Sequence, residues 1–165
     1  MKENPLATVL EAPARIPAPE GGWRRTIFLG GGITGCWDWQ QALIAKLDLP
    51  DDVLLCNPRR AEFPADPTLN DAFAVSEEQV IWEHNHLMAA DLIVFYFTGD
   101  RSPQPIVLYE LGRYAALGYP LIVTVEPGYP RAVDVELQLR MARPGTPIHQ
   151  SMDETVTAIT RYTLA

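Results

Sequence analysis

The sequence contains one run that is apolar at every position, Leu92-Ile93-Val94-Phe95-Tyr96-Phe97. A strand with one solvated face alternates apolar and polar residues, whereas a strand covered on both faces reads as a continuous apolar run. The run therefore predicts a central strand of a parallel sheet. Because both faces of such a sheet are covered, the chain must also supply helices for the two sides.

The rest of the chain alternates between short apolar runs and helical patterns. Strands are predicted at 26–29, 53–56, 92–97 and 120–125, with a short edge strand at 146–148, and helices at 37–47, 76–90, 105–117, 131–142 and 152–162. Ser76 and Gln79 fit a capping box, which predicts that the second helix begins at Ser76. This alternation predicts an α/β fold with a doubly wound parallel sheet of about five strands flanked by helices.

The length of 165 residues fits a single domain with its own core. Residues 1–22 contain four prolines and show no sustained periodicity, so they are predicted to form an extended N-terminal arm. Residues 23–165 are then expected to form one α/β domain.

Composition narrows the class of ligand. A formal net charge of −8 argues against nucleic acid or an anionic membrane as partner, because both need a basic surface. The chain has no run of transmembrane length and opens without an apolar leader, so a cytoplasmic protein is expected. His84 and His86 diverge on a helix, and the two cysteines lack metal-type spacing, so no metal and no cofactor are predicted.

Ligands of doubly wound sheets bind at the carboxyl ends of the strands, near the point where the strand order reverses. The first strand ends in a glycine run in which Gly30, Gly32 and Gly35 satisfy G-x-G-x-x-G. Such a match alone is weak. Arg59 and Arg60, after the second strand, are suited to a 2′-phosphate, so an NADP-binding domain remains an alternative. A tight turn without a ligand is another.

Two acids stand where apolar residues are expected. Glu83 shares a helix face with Val80 and Leu87, on the stripe predicted to face the sheet, and Glu110 lies among apolar neighbours on the next helix. A buried carboxylate is unfavourable unless it is paired or has a chemical task. One interpretation is an ion pair of Glu83 with an arginine, Arg59, Arg60 or Arg113. The other is a site that manages positive charge on a sugar carbon.

Several motifs, in this order and spacing, resemble the nucleoside 2-deoxyribosyltransferase family, most closely its transferase-like branch. They are Ile27-Phe28-Leu29-Gly30-Gly31-Gly32, Asp38-Trp39-Gln40, Asn57-Pro58-Arg59-Arg60, Trp82-Glu83 and Glu110-Leu111-Gly112. The resemblance spans residues 26 to 141. It implies a flavodoxin-like sheet, and cleavage of the N-glycosidic bond of nucleosides through a covalent glycosyl-enzyme.

The resemblance also assigns roles. Glu110 matches the nucleophile, Glu83 an acid that holds the sugar or the nucleophile, and Asp100 falls near a loop acid that handles proton transfer with the base. Phe28 aligns with a tyrosine of other members. The residues predicted to bind the substrate are Gly30, Gly32, Phe28, Asp38, Asn57 and Arg59.

The chemistry is consistent with the residues. Breaking a C1′–N bond builds an oxocarbenium-like centre that an ionised carboxylate can stabilise and trap, while the leaving base needs a proton. We therefore predict an enzyme acting on a small nucleoside or nucleotide through Glu110. A nucleotide or nucleotide-sugar sensor that has kept the cleft without catalysis is the alternative from the binding class. Because family sites are completed across subunits, the resemblance also implies a homo-oligomer.

Overall fold

The computed structural model describes residues 7–60 and 69–165, and its centre is a parallel sheet. The six strands are β1 (Thr8–Glu11), β2 (Arg25–Gly31), β3 (Val53–Asn57), β4 (Leu92–Phe97), β5 (Leu121–Val125) and β6 (Ile148–His149). Their order is β1-β3-β2-β4-β5-β6, and every neighbouring pair is parallel. The sheet is open and flavodoxin-like, so the predicted fold class is confirmed.

Five helices cover the two faces: α1 (Trp39–Lys46), α2 (Leu69–Ala89), α3 (Pro105–Ala116), α4 (Ala132–Ala142) and α5 (Met152–Leu164). Helices α1 and α5 pack on one face, where Trp39, Leu43 and Ile159 join the buried residues of the strands. Helices α2, α3 and α4 pack on the other face. No helix of the described residues is long and apolar enough to cross a membrane.

The all-apolar run forms β4 with the predicted bounds, and all six of its residues are buried. The strand count is six instead of about five because Thr8–Glu11, inside the predicted arm, pairs with β3 as an edge strand. Residues 1–6 of that arm lie outside the described residues. The boundaries of arm and domain remain a prediction.

The predicted start of α2 is wrong. The helix already begins at Leu69, so Ser76 lies inside it and caps nothing. Gln79, read as the partner in a capping box, is instead buried and donates hydrogen bonds to Pro58 O and to Glu83. Val80, predicted to face the sheet, is 61 % exposed. A helix extended by two turns accommodates Ser76 in its interior, and packing against the β3 loop overrides the local signal.

The strand order reverses between β2 and β4. Strand β2 pairs with β3 on one side and with β4 on the other. The chain therefore runs from β2 to β3 on one side of β2 and then crosses to β4 on its other side. The carboxyl ends of β2 and β4 therefore flank a crevice, and α2 and α3 lie on the same side of the sheet at this point.

Candidate active site

A cavity of about 300 Å³ lies at this crevice, between α2 and α3. Its described lining consists of Phe28, Gly30, Gly31, Gly32, Ile33, Thr34, Pro58, Gln79, Val80, Glu83, Ser102, Gln104, Pro105, Ile106, Val107 and Glu110. The volume is at the small end of the range for ligand sites, and the lining is mostly apolar with a few polar groups.

Glu83 from α2 and Glu110 from α3 both line this cavity. Each carboxylate is partly buried. Among the described residues, neither takes part in a salt bridge, and Arg60, one of the predicted partners, is paired with Glu78. The ion-pair interpretation of Glu83 is therefore not what the structure shows. The two helices instead bring two unpaired acids to one pocket.

The electrostatics of the pair follow from its burial. Burial, together with the nearby charge of Glu83, raises the pKa of Glu110 from 4.5 to about 8, although Arg113 lowers it in part. Burial also raises the pKa of Glu83, while a hydrogen bond from Gln79 opposes the shift. Two close carboxylates cannot both ionise easily. The raised pKa favours a protonated Glu110 near neutral pH, whereas the sequence led us to expect an ionised Glu110.

Gln79 fixes the orientation of Glu83. Its Nε2 donates to Pro58 O and to Glu83 Oε1, both at 2.7 Å. Two acceptors around one amide nitrogen determine which way the amide points. The sequence analysis missed this residue as part of the site. The signal available was its i, i+4 spacing to Glu83, which puts the two side chains on neighbouring positions of one helix face.

The glycine run forms the floor of the cavity together with Phe28. A Cβ on Gly31 would lie 2.4 Å from the Trp39 ring, and one on Gly32 would lie 2.3 Å from Cys36 Sγ and 2.6 Å from Gln104 Oε1. Side chains at these two positions would collide with the protein itself. Close packing therefore explains Gly31 and Gly32 without any dinucleotide.

Gln104, a second residue that the sequence analysis missed, shapes the entrance to α3. It precedes Pro105 with φ 46° and ψ 55°, a left-handed conformation that is uncommon for a residue other than glycine. Its side chain pairs with the backbone of Thr98, donating to Thr98 O at 3.1 Å and accepting from Thr98 N at 3.4 Å. These bonds tie the start of α3 to the end of β4, and thereby set the position of the helix that carries Glu110.

Three predicted substrate-binding residues lie outside the cavity lining and support the loops around it. Arg59 donates to Gln40 Oε1 at 3.0 Å and to Trp37 O at 3.0 Å, and it lies 3.3 Å from Asp38 Oδ1. Asp38 caps α1 by accepting from the backbone of residue 41, and Asn57 Oδ1 accepts from Arg59 N at 3.0 Å. These bonds occupy the guanidinium of Arg59, which the NADP-binding alternative requires for the 2′-phosphate.

Asp100 also lies outside the cavity lining. Its Oδ1 accepts from Thr98 Oγ1 at 2.7 Å and its Oδ2 from Trp37 N at 3.0 Å. Its slight burial would raise the pKa, but the hydrogen bonds from Thr98, Trp37 and Ser102 together lower it below the usual value. The acid predicted to handle the base is therefore held as an anion that joins two loops.

Glu126, at the end of β5, continues this loop network. It accepts hydrogen bonds from Tyr96 Oη at 2.6 Å, from Gly99 N at 2.8 Å and from Trp37 Nε1 at 3.2 Å. The loops after β2, β4 and β5 are thus joined through two acids, Asp100 and Glu126. We call the hydrogen-bonded group of Trp37, Tyr96, Asp100 and Glu126 the loop latch.

The sequence profile of one known family, described as "Nucleoside 2-deoxyribosyltransferase like", matches residues 24–129. The chain belongs to this family. The matched range begins just before β2 and contains the glycine floor, both cavity acids and the loop latch. The predicted resemblance is confirmed.

A comparison with solved structures agrees on the fold. A conserved protein from Enterococcus faecalis V583 superposes with a TM-score of 0.56 at 13% identity, covering 84% of this chain and 98% of that one. At this identity the likeness concerns the fold alone. No curated protein matches the sequence.

The structure thus brings together five of the predicted site residues, namely Glu83, Glu110, Gly30, Gly32 and Phe28. It separates Asp38, Asn57, Arg59 and Asp100 from them. In the described part of the chain, no three His, Cys, Asp or Glu side chains are grouped so that they could hold a metal ion.

Proposed function

We propose that the chain breaks the N-glycosidic bond of a nucleoside or nucleotide and passes the sugar to another base or to water, through a covalent ester on Glu110. The observation that carries this proposal is the convergence of Glu83 and Glu110 on one cavity at the strand switch point, from adjacent helices and with no salt bridge to an arginine among the described residues. Membership in the nucleoside 2-deoxyribosyltransferase-like family supports the choice of glycosyl transfer as the reaction class.

In the proposed reaction, Glu110 attacks C1′ as the bond to the base breaks. The electron pair of that bond goes to the base nitrogen, and a neutral base takes up a proton from Glu83. Positive charge develops on the sugar in the transition state, and a nearby anion stabilises it. The same positive charge lowers the pKa of Glu110 and so favours its ionised form during the attack on C1′. Glu83, held by Gln79, orients the sugar or the nucleophile. Asp100 stays outside the proposal because both of its oxygens are engaged in the loop latch.

A second copy of the chain is proposed to cover the mouth of the cavity. Val80 and Ile106 line the cavity, yet they are 61 % and 62 % exposed, and Ile81 and Tyr109 beside them are 49 % and 67 % exposed. Exposed apolar side chains gathered at a site entrance favour burial against a partner. Sedimentation of the purified protein tests this proposal, and a monomer at all concentrations would contradict it.

The reaction is tested by incubating the protein with deoxynucleosides and free bases, and following base exchange and release by chromatography. We expect product, and a Glu110-linked sugar adduct in the mass spectrum of the quenched enzyme. Glu110→Gln should yield neither while keeping the circular dichroism spectrum of the parent. Unchanged turnover in this variant would end the assignment.

The assay also separates the enzyme from a binding protein. A ligand-induced rise in melting temperature without any product would favour the sensor alternative. Glu77→Gln, which changes an exposed acid of the same helix α2, serves as the matched control and should behave as the parent.

A further inference from the structure

The described lining of the cavity between α2 and α3 contains acidic side chains and no basic ones. Its described lining includes two carboxylates, Glu83 and Glu110, and no Lys, Arg or His side chain. Residues 61–73, whose side chains the structure does not describe, include three acids and no basic residue, so they add no positive charge wherever they lie. Residues 1–6 contain a single basic residue, Lys2.

Two arginines on neighbouring segments, Arg59 and Arg113, are not part of the described lining. Arg59 donates to the carbonyl oxygens of Cys36 and Trp37 behind the glycine floor. Arg113 lies one turn after Glu110 on α3, and its positive charge stabilises the ionised form of Glu110 although Arg113 does not line the cavity. Its guanidinium lies 5.5 Å from the ring centre of Tyr114. An anionic ligand would therefore enter a field dominated by the two carboxylates, whereas a cation would be attracted.

In the described lining of the cavity, Glu83 and Glu110 are the only acids that could protonate a leaving base. Asp100 is held as an anion in the loop latch. Glu110 is needed as the nucleophile, so Glu83 is the one acid of the lining that remains to give a proton; burial raises its pKa, although the hydrogen bond from Gln79 opposes the shift. A neutral base leaves poorly without a proton. A base that already carries a positive charge on the glycosidic ring needs no proton at all.

We infer that the site takes nucleosides whose base bears a fixed positive charge, such as N-ribosylpyridinium or N7-alkylpurinium compounds without phosphate. This inference rests on the proposed function and names its substrate class. The C1′–N bond breaks with its electron pair going to the ring nitrogen, so the cationic base departs neutral. A carboxylate oxygen of Glu110 bonds to C1′. Water then attacks C1′, the ester bond breaks, and one proton is released to solvent.

The test compares sugar-matched pairs of substrates. The cationic probe is 1-(β-D-ribosyl)nicotinamide and the neutral probe is inosine, each used also in its 2′-deoxy form, with rates corrected for spontaneous hydrolysis. At pH 7.5 we expect kcat/KM to be at least about tenfold higher for the cation in each pair. The preference should shrink as ionic strength rises, since attraction between charges in a half-open site is screened.

Two variants connect the preference to the named residues. Glu110→Gln, which cannot form the ester, should still bind the pyridinium nucleoside more tightly than inosine in calorimetry. Glu83→Gln should lose most of the preference, because it removes one of the two acids that line the cavity. Glu77→Gln removes one charge from the exposed side of α2 and should keep the preference in full.

The outcomes separate this inference from the proposed function. Equal kcat/KM for cationic and neutral nucleosides would overturn the cation preference and leave N-glycosidic cleavage standing. Cleavage of none of the four probes by folded protein would overturn the inference, while the base-exchange assay with deoxynucleosides decides separately on N-glycosidic cleavage. Faster cleavage of the cation that is unaffected by Glu83→Gln would also overturn the inference, because the cavity charge would then not be its cause.

Discussion

The loop latch and the cavity use acids in opposite ways, although both lie at the carboxyl edge of the same sheet. In the latch, Asp100 and Glu126 each accept hydrogen bonds from several donors, among them Thr98, Trp37, Tyr96 and Gly99. In the cavity, Glu83 accepts one, from Gln79, and no hydrogen bond to Glu110 is present among the described residues. An acid that is satisfied by several donors stabilises a structure, whereas a partly buried acid with few donors remains available for chemistry.

The sharpest way to test this difference is to remove one cavity charge. Glu83→Gln should lower kcat/KM for N-glycosidic cleavage by about 100-fold, the lower range for loss of a positioned acid or base. Steady-state kinetics measure the effect, with Glu77→Gln as control. A decrease in kcat/KM of less than about threefold would mean that Glu83, like Asp100 and Glu126, has a structural role only.

The second prediction concerns pH and the stability of the folded state. The pKa of Glu110 is about 8 in the folded protein against an ordinary value of 4.5, so between these values the folded state holds a proton that the unfolded state has lost. The free energy of unfolding therefore falls as pH rises through this window, and the penalty is complete above the folded pKa.

Glu110→Gln removes this penalty. Each pKa unit corresponds to about 1.4 kcal/mol, and with a discount for partial exposure we expect the variant to be more stable than the parent by roughly 2–3 kcal/mol near pH 9. The difference should vanish near pH 4.5. Denaturant unfolding across the pH range measures it, and a difference independent of pH would contradict the raised pKa.

The third prediction addresses the latch. Glu126→Ala leaves the buried Tyr96 hydroxyl without its acceptor, which should lower the free energy of unfolding by about 2 kcal/mol. Trp37 also loses a partner, so its fluorescence should shift towards that of a solvated indole. Glu136→Ala, at an exposed position on α4, is the control and should change stability by less than about 0.5 kcal/mol.

The smallest effect is expected for Asp100→Asn. The amide keeps one acceptor, so the variant should lose only about 1 kcal/mol of stability. Activity should stay within about threefold of the parent, because Asp100 does not line the cavity. A decrease in activity of about 100-fold would instead indicate that Asp100 is catalytic, and would contradict the division between the acids of the loop latch and those of the cavity.

The sequence supports the fold more firmly than the site. The all-apolar run at Leu92–Phe97 and the alternation of strands and helices were sufficient for the α/β class, because burial on both faces leaves a pattern in the chain itself. The edge strand Thr8–Glu11 was not predicted from the sequence, because a short strand among prolines has no periodicity of its own and forms only by pairing with β3. The capping box at Ser76 failed because a local signal gave way to a longer helix.

By itself, the sequence determined that two acids, Glu83 and Glu110, occupy positions where their charge is unfavourable, since helical periodicity and apolar neighbours are local properties. Only the tertiary structure decided that these two acids meet in one cavity while Asp100 and Arg59 do not join them. The reason is physical. A side chain's hydrogen-bond partners come from loops distant in sequence, and it is those partners that separate an acid held in a network from an acid left free to react.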